Sequence, residues 1–102
     1  MMFRLPKNRT PVAPADILRH EFMEPLGLNA KQVSEAIHVP AASIHALLAG
    51  ELELSPNLAL RLSRYFSTSS GFWLGLQARY DLARASAEQR EVLERITPLR
   101  RA

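Results

Sequence analysis

The chain has 102 residues, a length that suffices for one domain with a small hydrophobic core. Because 47% of the residues are apolar, a globular fold is expected rather than a disordered chain. It contains no cysteine, so disulfides and thiolate metal sites are excluded, and no apolar run approaches the length of a bilayer. The net charge of +3 permits an anionic partner without establishing one. Because the start carries no signal-peptide pattern, we expect a soluble, cytoplasmic protein.

A flexible arm and a first helix are predicted at the start of the chain. The arm lacks periodicity and is basic, with Arg4, Lys7 and Arg9. Pro14 suits the first turn of the helix, and Pro25 together with Gly27 is expected to end it. The predicted buried stripe of this helix consists of Ile17, Leu18, Phe22 and Met23.

The stretch from Asn29 to Gly50 predicts two short helices joined by a tight turn. Asn29 is a good N-cap, and Gln32 can complete a capping box with it. Pro40 interrupts the helical pattern, and His38 in the turn tolerates a positive φ better than most residues. Gly50 suits a left-handed helix end. Because neither helix is long enough to be stable alone, the two must pack together as a helix-turn-helix.

Three more helices are predicted beyond this pair. Ser55 followed by Pro56 is a clear helix start, and Ser69 is the expected N-cap of the fifth helix. The fourth helix has a predicted buried face made of Leu58, Ala59, Leu62 and either Tyr65 or Phe66, and Leu54 is expected to enter the core from the preceding loop. A weaker pattern over residues 86–96, ended by Pro98, predicts a short sixth helix.

These elements predict an all-α fold with five core helices and a short additional C-terminal helix. No strand-like alternation of useful length is present in the sequence. We therefore divide the chain into a flexible basic arm at 1–13, a helix-turn-helix domain at 14–84 and a C-terminal helical tail at 85–102.

The three histidines do not form a recognisable metal or catalytic motif. His38 and His45 are separated by a turn, and neither has a second ligand at i, i+4 spacing. Residues 20–24 (HEFME) lack the second histidine of a zincin helix. No serine lies in a nucleophile-elbow sequence, and no glycine-rich phosphate loop is present. We expect no metal site, no cofactor and no enzymatic activity.

The aromatic stripe of the fifth helix is wider than one buried face requires. Phe72 and Leu76 are the expected core residues, while Trp73 and Tyr80 are expected at an edge. The excess apolar surface would suit a homodimer or a partner protein, so we predict an interface that includes Trp73, Leu76 and Tyr80.

The outward face of the second helix of the pair is poor in long polar side chains. It carries Ala41, Ala42, Ser43, His45, Ala46 and Ala49. Base edges are usually contacted by Arg, Lys, Asn or Gln. Ser43 and His45 are the candidates here, with Lys31 or Gln32 assisting from the preceding helix and Ala42 able to contact a thymine methyl group.

Three segments of the chain resemble the HigA/VapI-type antidote proteins of bacterial addiction modules, within the Xre-type helix-turn-helix superfamily. They are residues 14–28 (PADILRHEFMEPLGL), the pair at 29–50, and residues 58–69 (LALRLSRYFSTS) with 72–82 (FWLGLQARYDL). The last of these is the most specific pattern. The resemblance covers about residues 11–84 and implies a five-helix, lambda-repressor-like, usually dimeric DNA-binding domain.

In several positions the chain departs from the pattern of this family. The family commonly has Gly where His38 stands, and polar or basic residues where Ala41, Ala42, Ser43 and His45 stand. Residues 49–53 replace a basic Asn-Gly-Lys-Arg-like turn with an acidic one. The scaffold positions are thus kept, while many hydrogen-bond donors on the DNA-facing side are absent.

Two hypotheses about function follow. In the first, the protein is a dimeric antitoxin that represses its own operon and neutralises a ribonuclease toxin. Arg4, Lys7, Arg9 and Lys31 would then contact operator phosphates, while Ser43 and His45 contact bases.

In the second hypothesis the protein is a toxin-binding or other protein-interaction module with weakened DNA binding. Glu35, Glu51 and Glu53, set against Lys31, give residues 29–55 a local charge of −2, which suits a basic toxin. A stand-alone Xre-type regulator, acting without a toxin, remains a third reading.

Overall fold

The computed structural model describes residues 12–100, which form helices and no strand. We number the six helices in chain order. Helix α1 comprises three consecutive stretches, Pro14–Ile17, Leu18–Met23 and Glu24–Leu26, and is followed by α2 (Ala30–Ile37), α3 (Ala41–Leu48), α4 (Pro56–Phe66), α5 (Ser70–Glu88) and α6 (Arg90–Arg95). The predicted all-α fold with a short additional C-terminal helix is confirmed. The basic residues Arg4, Lys7 and Arg9 lie outside the described residues.

Helix α1 widens in its middle and ends at the predicted Gly27. Its central stretch, Leu18–Met23, is π-helical, and at the end of this stretch the backbone N–H of Glu24 donates to the carbonyl of Arg19, five residues earlier. The helix therefore continues through Pro25, which was expected to help end it. Gly27, with a φ of 66°, is the residue at which α1 stops.

The helix-turn-helix forms as the sequence predicts. The Asn29 side chain accepts a hydrogen bond from the Gln32 backbone N–H, and the Gln32 side chain accepts one from the Asn29 backbone N–H, both at 2.8 Å. His38 adopts the predicted positive φ, at 60°, and Pro40 caps α3 in an extended conformation. Gly50 follows α3 with a φ of 77°.

Helices α4 and α5 begin at the predicted caps, but α5 is longer than expected. Ser55 Oγ accepts from the Leu58 N–H at 3.2 Å, and Ser69 Oγ accepts from the Phe72 N–H at 3.0 Å. Helix α5 runs to Glu88, past the expected domain limit at residue 84, and α6 starts only at Arg90. Residues 85–88 contain two alanines and no Pro or Gly, so α5 can continue past residue 84.

A single core joins α1 to α5. Its largest fully buried side chains are those of Leu18, Val33, Ile44, Leu62 and Trp73, and Leu54 enters it from the loop before α4 as predicted. Beside this core lies a group of aromatic rings from α1, α4 and α5. The Phe22 ring centroid is 4.9 Å from that of Phe66 and 5.0 Å from that of Trp73.

Two assignments within the aromatic stripe of α5 were wrong. Trp73, expected at an edge, has an exposed fraction of 0%, whereas Phe72, expected in the core, is 38% exposed. The indole N–H of Trp73 donates to Thr68 Oγ1 at 2.7 Å, so the polar part of the ring is satisfied inside the protein. On the fourth helix, Phe66 packs against the core, and Tyr65 is exposed.

The molecule is elongated because its C-terminal part extends beyond the core. Its principal extents are 55 × 29 × 27 Å, and every residue in the range 86–100 is exposed. Within the described part of the chain, no helix combines the length and the apolar character that spanning a membrane requires.

Candidate nucleic-acid interface

The predicted base-contacting residues Ala42, Ser43 and His45 lie between the second and fifth residues of α3. Ala42 and His45 are exposed, and Ser43 is half-buried. Buried Ile44 and Leu47 fix α3 on the core and so determine which side of the helix points outward. The Ser43 backbone N–H donates to the Pro40 carbonyl at 2.9 Å, which starts the helix directly after the turn.

The first turn of α2 adds Lys31 and Gln32, both exposed. Because Gln32 Oε1 is engaged by the Asn29 N–H, the side-chain amide N–H₂ of Gln32 is the part left to donate outward. The structure thus combines two roles in Gln32. It stabilises the start of α2, and it presents a donor next to the charged amine of Lys31.

The candidate interface can offer donors to an anionic or acceptor-rich partner. Lys31, Gln32, Ser43 and His45 each carry at least one possible donor, as phosphate oxygens and major-groove base edges require. The exposed carboxylates Glu35, Glu51 and Glu53 belong to the same helix-turn-helix and its following loop, and they oppose binding of phosphate. Because Lys31 is offset by these glutamates, binding of DNA at this surface depends more on the positions of its donors than on its net charge.

Two arginines outside the pair, Arg61 and Arg19, hold the backbone of the helix-turn-helix, a role that the sequence pattern does not predict. Arg61 Nη1, from α4, donates to the carbonyl of Ile37 at 2.7 Å and to that of His38 at 3.0 Å. Arg19 Nη2, from α1, donates to the carbonyl of Leu48 at 3.1 Å. Each arginine also has one local partner: Arg61 Nε donates to Asn57 Oδ1 at 2.7 Å, and Arg19 Nη1 lies 3.9 Å from Asp16 Oδ1.

The histidines occupy three separate places. His20 Nδ1 lies 3.0 Å from Glu24 Oε1 on the exposed side of α1, while His38 is in the turn and His45 is on α3. Within residues 12–100, no three His, Asp or Glu side chains are grouped so that they could hold a metal ion.

The predicted partner interface on α5 is only partly accessible. Leu76 and Tyr80 are half-buried, and the guanidinium carbon of Arg84 lies 5.3 Å from the centre of the Tyr80 ring. Trp73 has no exposed surface, so its inclusion in this interface is corrected. Leu76 and Tyr80 stay predictions.

No family model matches the chain, but individual proteins of known sequence and structure are similar to it. Over 75 residues the chain is 41% identical to the uncharacterised HTH-type transcriptional regulator YbaQ of Escherichia coli K12, a match that covers 74% of this chain. The chain spans only 66% of the length of that relative. It is also 34% identical over 87 residues to virulence-associated protein I of Dichelobacter nodosus, covering 84% of this chain and 81% of that protein.

Among solved structures, the chain is similar to the antitoxin HigA of Pseudomonas aeruginosa, determined with the higBA promoter. The TM-score is 0.84 and the sequence identity is 34%. The match covers 88% of this chain and 99% of that one.

Proposed function

Because the chain belongs to the HigA/VapI family of helix-turn-helix proteins, we propose that it is a DNA-binding repressor and the antitoxin of a toxin–antitoxin module. In this role it binds operator DNA of its own operon through α3 and neutralises a ribonuclease toxin. The activity is binding in the cytoplasm, and it involves no catalysis and no cofactor. The observation that carries the proposal is the outward side of α3, where Ala42 and His45 are exposed while buried Ile44 and Leu47 fix the helix on the core. The similarity to an antitoxin determined with its promoter supports it.

We infer that the functional species is a homodimer. A dimer would present two copies of α3 about one turn of DNA apart, roughly 34 Å, and would match a palindromic operator. Leu76 and Tyr80 on α5 are the proposed contacts, and the exposed apolar residues of the C-terminal part supply further surface that a partner can cover. Those residues are Leu82, Val92, Leu93, Ile96 and Leu99.

A titration of the full chain against its own upstream DNA, at low and moderate salt, tests DNA binding. We expect a sequence-selective gel shift that weakens as salt rises, because each neutralised phosphate contributes about 0.9 to the slope of log affinity against log salt. Ser43→Glu and His45→Glu should abolish it. Ser86→Glu, an exposed substitution of the same kind far along α5, is the matched control and should not.

A second function is favoured by one specific observation. Glu35, Glu51 and Glu53 are all exposed, and the outward side of α3 is rich in alanine, so the surface suits a basic protein as well as DNA. Under this reading the protein binds a toxin and has lost strong operator binding. A folded dimer that gives no shift at either salt, and whose toxin affinity falls in a Glu51→Lys, Glu53→Lys variant, would select this function over the first.

A further inference from the structure

Helix α3 is held at its C-terminal end by a residue that belongs to α1. The last carbonyls of a helix lack intrahelical partners and must find donors elsewhere. The backbone N–H groups of Ala49, Gly50 and Glu51 donate to the carbonyls of residues 45, 47 and 46, at 2.9, 3.1 and 2.9 Å respectively. The carbonyl of Leu48 has no such backbone donor, and it receives its hydrogen bond from Arg19.

The N-terminal end of α3 is held indirectly, through the turn that precedes it. At the end of α2, the N–H groups of His38 and Val39 both donate to the Ser34 carbonyl. This leaves the carbonyls of Ile37 and His38 without backbone donors at the turn, and Arg61 donates to both of them from α4.

The geometry of Arg61 fits a fixed clamp better than a mobile phosphate ligand. Its Nε is bonded to Asn57 and its Nη1 to two carbonyls, so three hydrogen bonds orient one planar guanidinium. A cation is also favourable at this place because the end of α2 carries partial negative charge. Arg64, one turn further along α4, is exposed and makes no hydrogen bond or ion pair to other residues in the range 12–100.

We propose that Arg61 and Arg19 are positioning residues for operator binding, which fix the orientation of α3 on the core without contacting DNA. They link the two ends of the DNA-contacting segment to α4 and α1. Helix α3 is short and poor in donors, so its few contacts to bases depend on a narrow range of orientations. The DNA part of this inference rests on the proposed function, while the clamping of α3 does not.

The clamp itself is tested in the free full-length protein by amide hydrogen exchange. Arg61→Gln should increase exchange about tenfold in the turn at 38–40 and in α3, because losing the clamp favours local opening. Amides in α5 between Trp73 and Tyr80 should keep their protection. Arg64→Gln removes the same charge from the same helix and should change neither region, and Arg61→Lys, which can still donate to one carbonyl, should fall between wild type and Arg61→Gln.

Operator titration of the same variants tests the positioning role. If Arg61→Gln reduces the competent population of α3 to about a tenth, operator affinity falls about tenfold. Affinity for unrelated DNA and the salt slope should equal those of Arg64→Gln. Arg19→Gln should lower operator affinity in the same selective way, and it provides an independent variant should Arg61→Gln fold poorly.

Three results would overturn the inference. Equal amide exchange rates in α3 of Arg61→Gln and Arg64→Gln would show that Arg61 does not clamp this helix. A salt slope for Arg61→Gln lower by about one than that of Arg64→Gln would identify Arg61 as a phosphate contact. Equal losses of affinity for operator and unrelated DNA would also contradict positioning. If wild-type protein binds no operator selectively, the proposed function fails, and the exchange measurement still decides whether the clamp exists.

Discussion

Gln77 on α5 connects to Leu54 in the loop before α4, because Gln77 Oε1 accepts a hydrogen bond from the Leu54 backbone N–H at 2.9 Å. The same amide group donates from Nε2 to Asp81 Oδ1 at 2.9 Å, which holds it in one orientation. The Leu54 side chain is buried in the core, so its neighbouring backbone N–H has little access to water. This contact therefore fixes the loop that follows α3 to the longest helix of the fold.

We expect Gln77→Leu to lower the free energy of unfolding by about 1–3 kcal/mol, the usual cost of leaving a buried donor unsatisfied. Asp81→Asn changes only the exposed partner of the same side chain and should cost at most about 0.5 kcal/mol. Urea unfolding followed by circular dichroism measures both. Equal losses in the two variants would mean that the Leu54 contact adds nothing to stability.

Replacing His38 with Gly should stabilise the protein. His38 has a φ of 60°, which costs a residue with a Cβ atom roughly 1–2 kcal/mol, and the greater freedom of Gly in the unfolded chain offsets about 0.5–1 kcal/mol of the gain. We expect the free energy of unfolding, measured by thermal or urea denaturation, to increase by about 0.5–1 kcal/mol. Ser67→Gly, at the other non-glycine position with positive φ, at 58°, should behave in the same way. A loss of stability at position 38 alone would show that the imidazole has a contact of its own.

The two roles of Gln32 can be separated by Gln32→Glu. The carboxylate keeps the acceptor for the Asn29 N–H and is favourable at the start of a helix, so stability should stay the same or rise by about 0.3–1 kcal/mol. Operator affinity should fall, because the outward donor is replaced by a negative charge next to phosphate. Gln32→Ala should lower both quantities. Unchanged operator binding in Gln32→Glu would place Gln32 away from the DNA.

The corrected burial of the aromatic residues predicts unequal effects of truncation. Trp73→Ala should destabilise the protein by about 3–5 kcal/mol, as expected for a fully buried aromatic side chain. Phe72→Ala should cost less than about 2 kcal/mol, because part of its ring is already exposed to water. Calorimetric unfolding measures both losses of stability. A larger loss for Phe72→Ala than for Trp73→Ala would contradict this assignment of core and edge.

The features that the sequence predicted are those that neighbouring residues determine. Three helices begin at a residue whose side chain accepts a hydrogen bond from a backbone N–H three residues later along the chain. These residues are Asn29, Ser55 and Ser69. The positive φ of His38 and of Gly50 follows from equally local patterns.

The features that were missed depend on contacts between distant segments. The carbonyls that Arg61 contacts are 23 and 24 residues away, and the carbonyl that Arg19 contacts is 29 residues away, so no periodicity reveals these contacts. Phe72 and Trp73 are adjacent on one helix, so helical spacing alone does not decide which of them is buried. In the fold, Thr68 lies where it accepts a hydrogen bond from the indole N–H of the buried Trp73. The continuation of α1 through Pro25 likewise depends on a π-helical widening that composition does not indicate.

Trp73 is the only tryptophan of the chain, and its fully buried indole has its N–H engaged by Thr68. Its fluorescence therefore comes from a single site in the interior, where α1, α4 and α5 meet. None of the residues proposed to contact DNA is a tryptophan, so we expect operator binding at α3 to leave this emission unchanged. The protein thus contains an intrinsic optical reporter that follows the integrity of its core independently of operator occupancy.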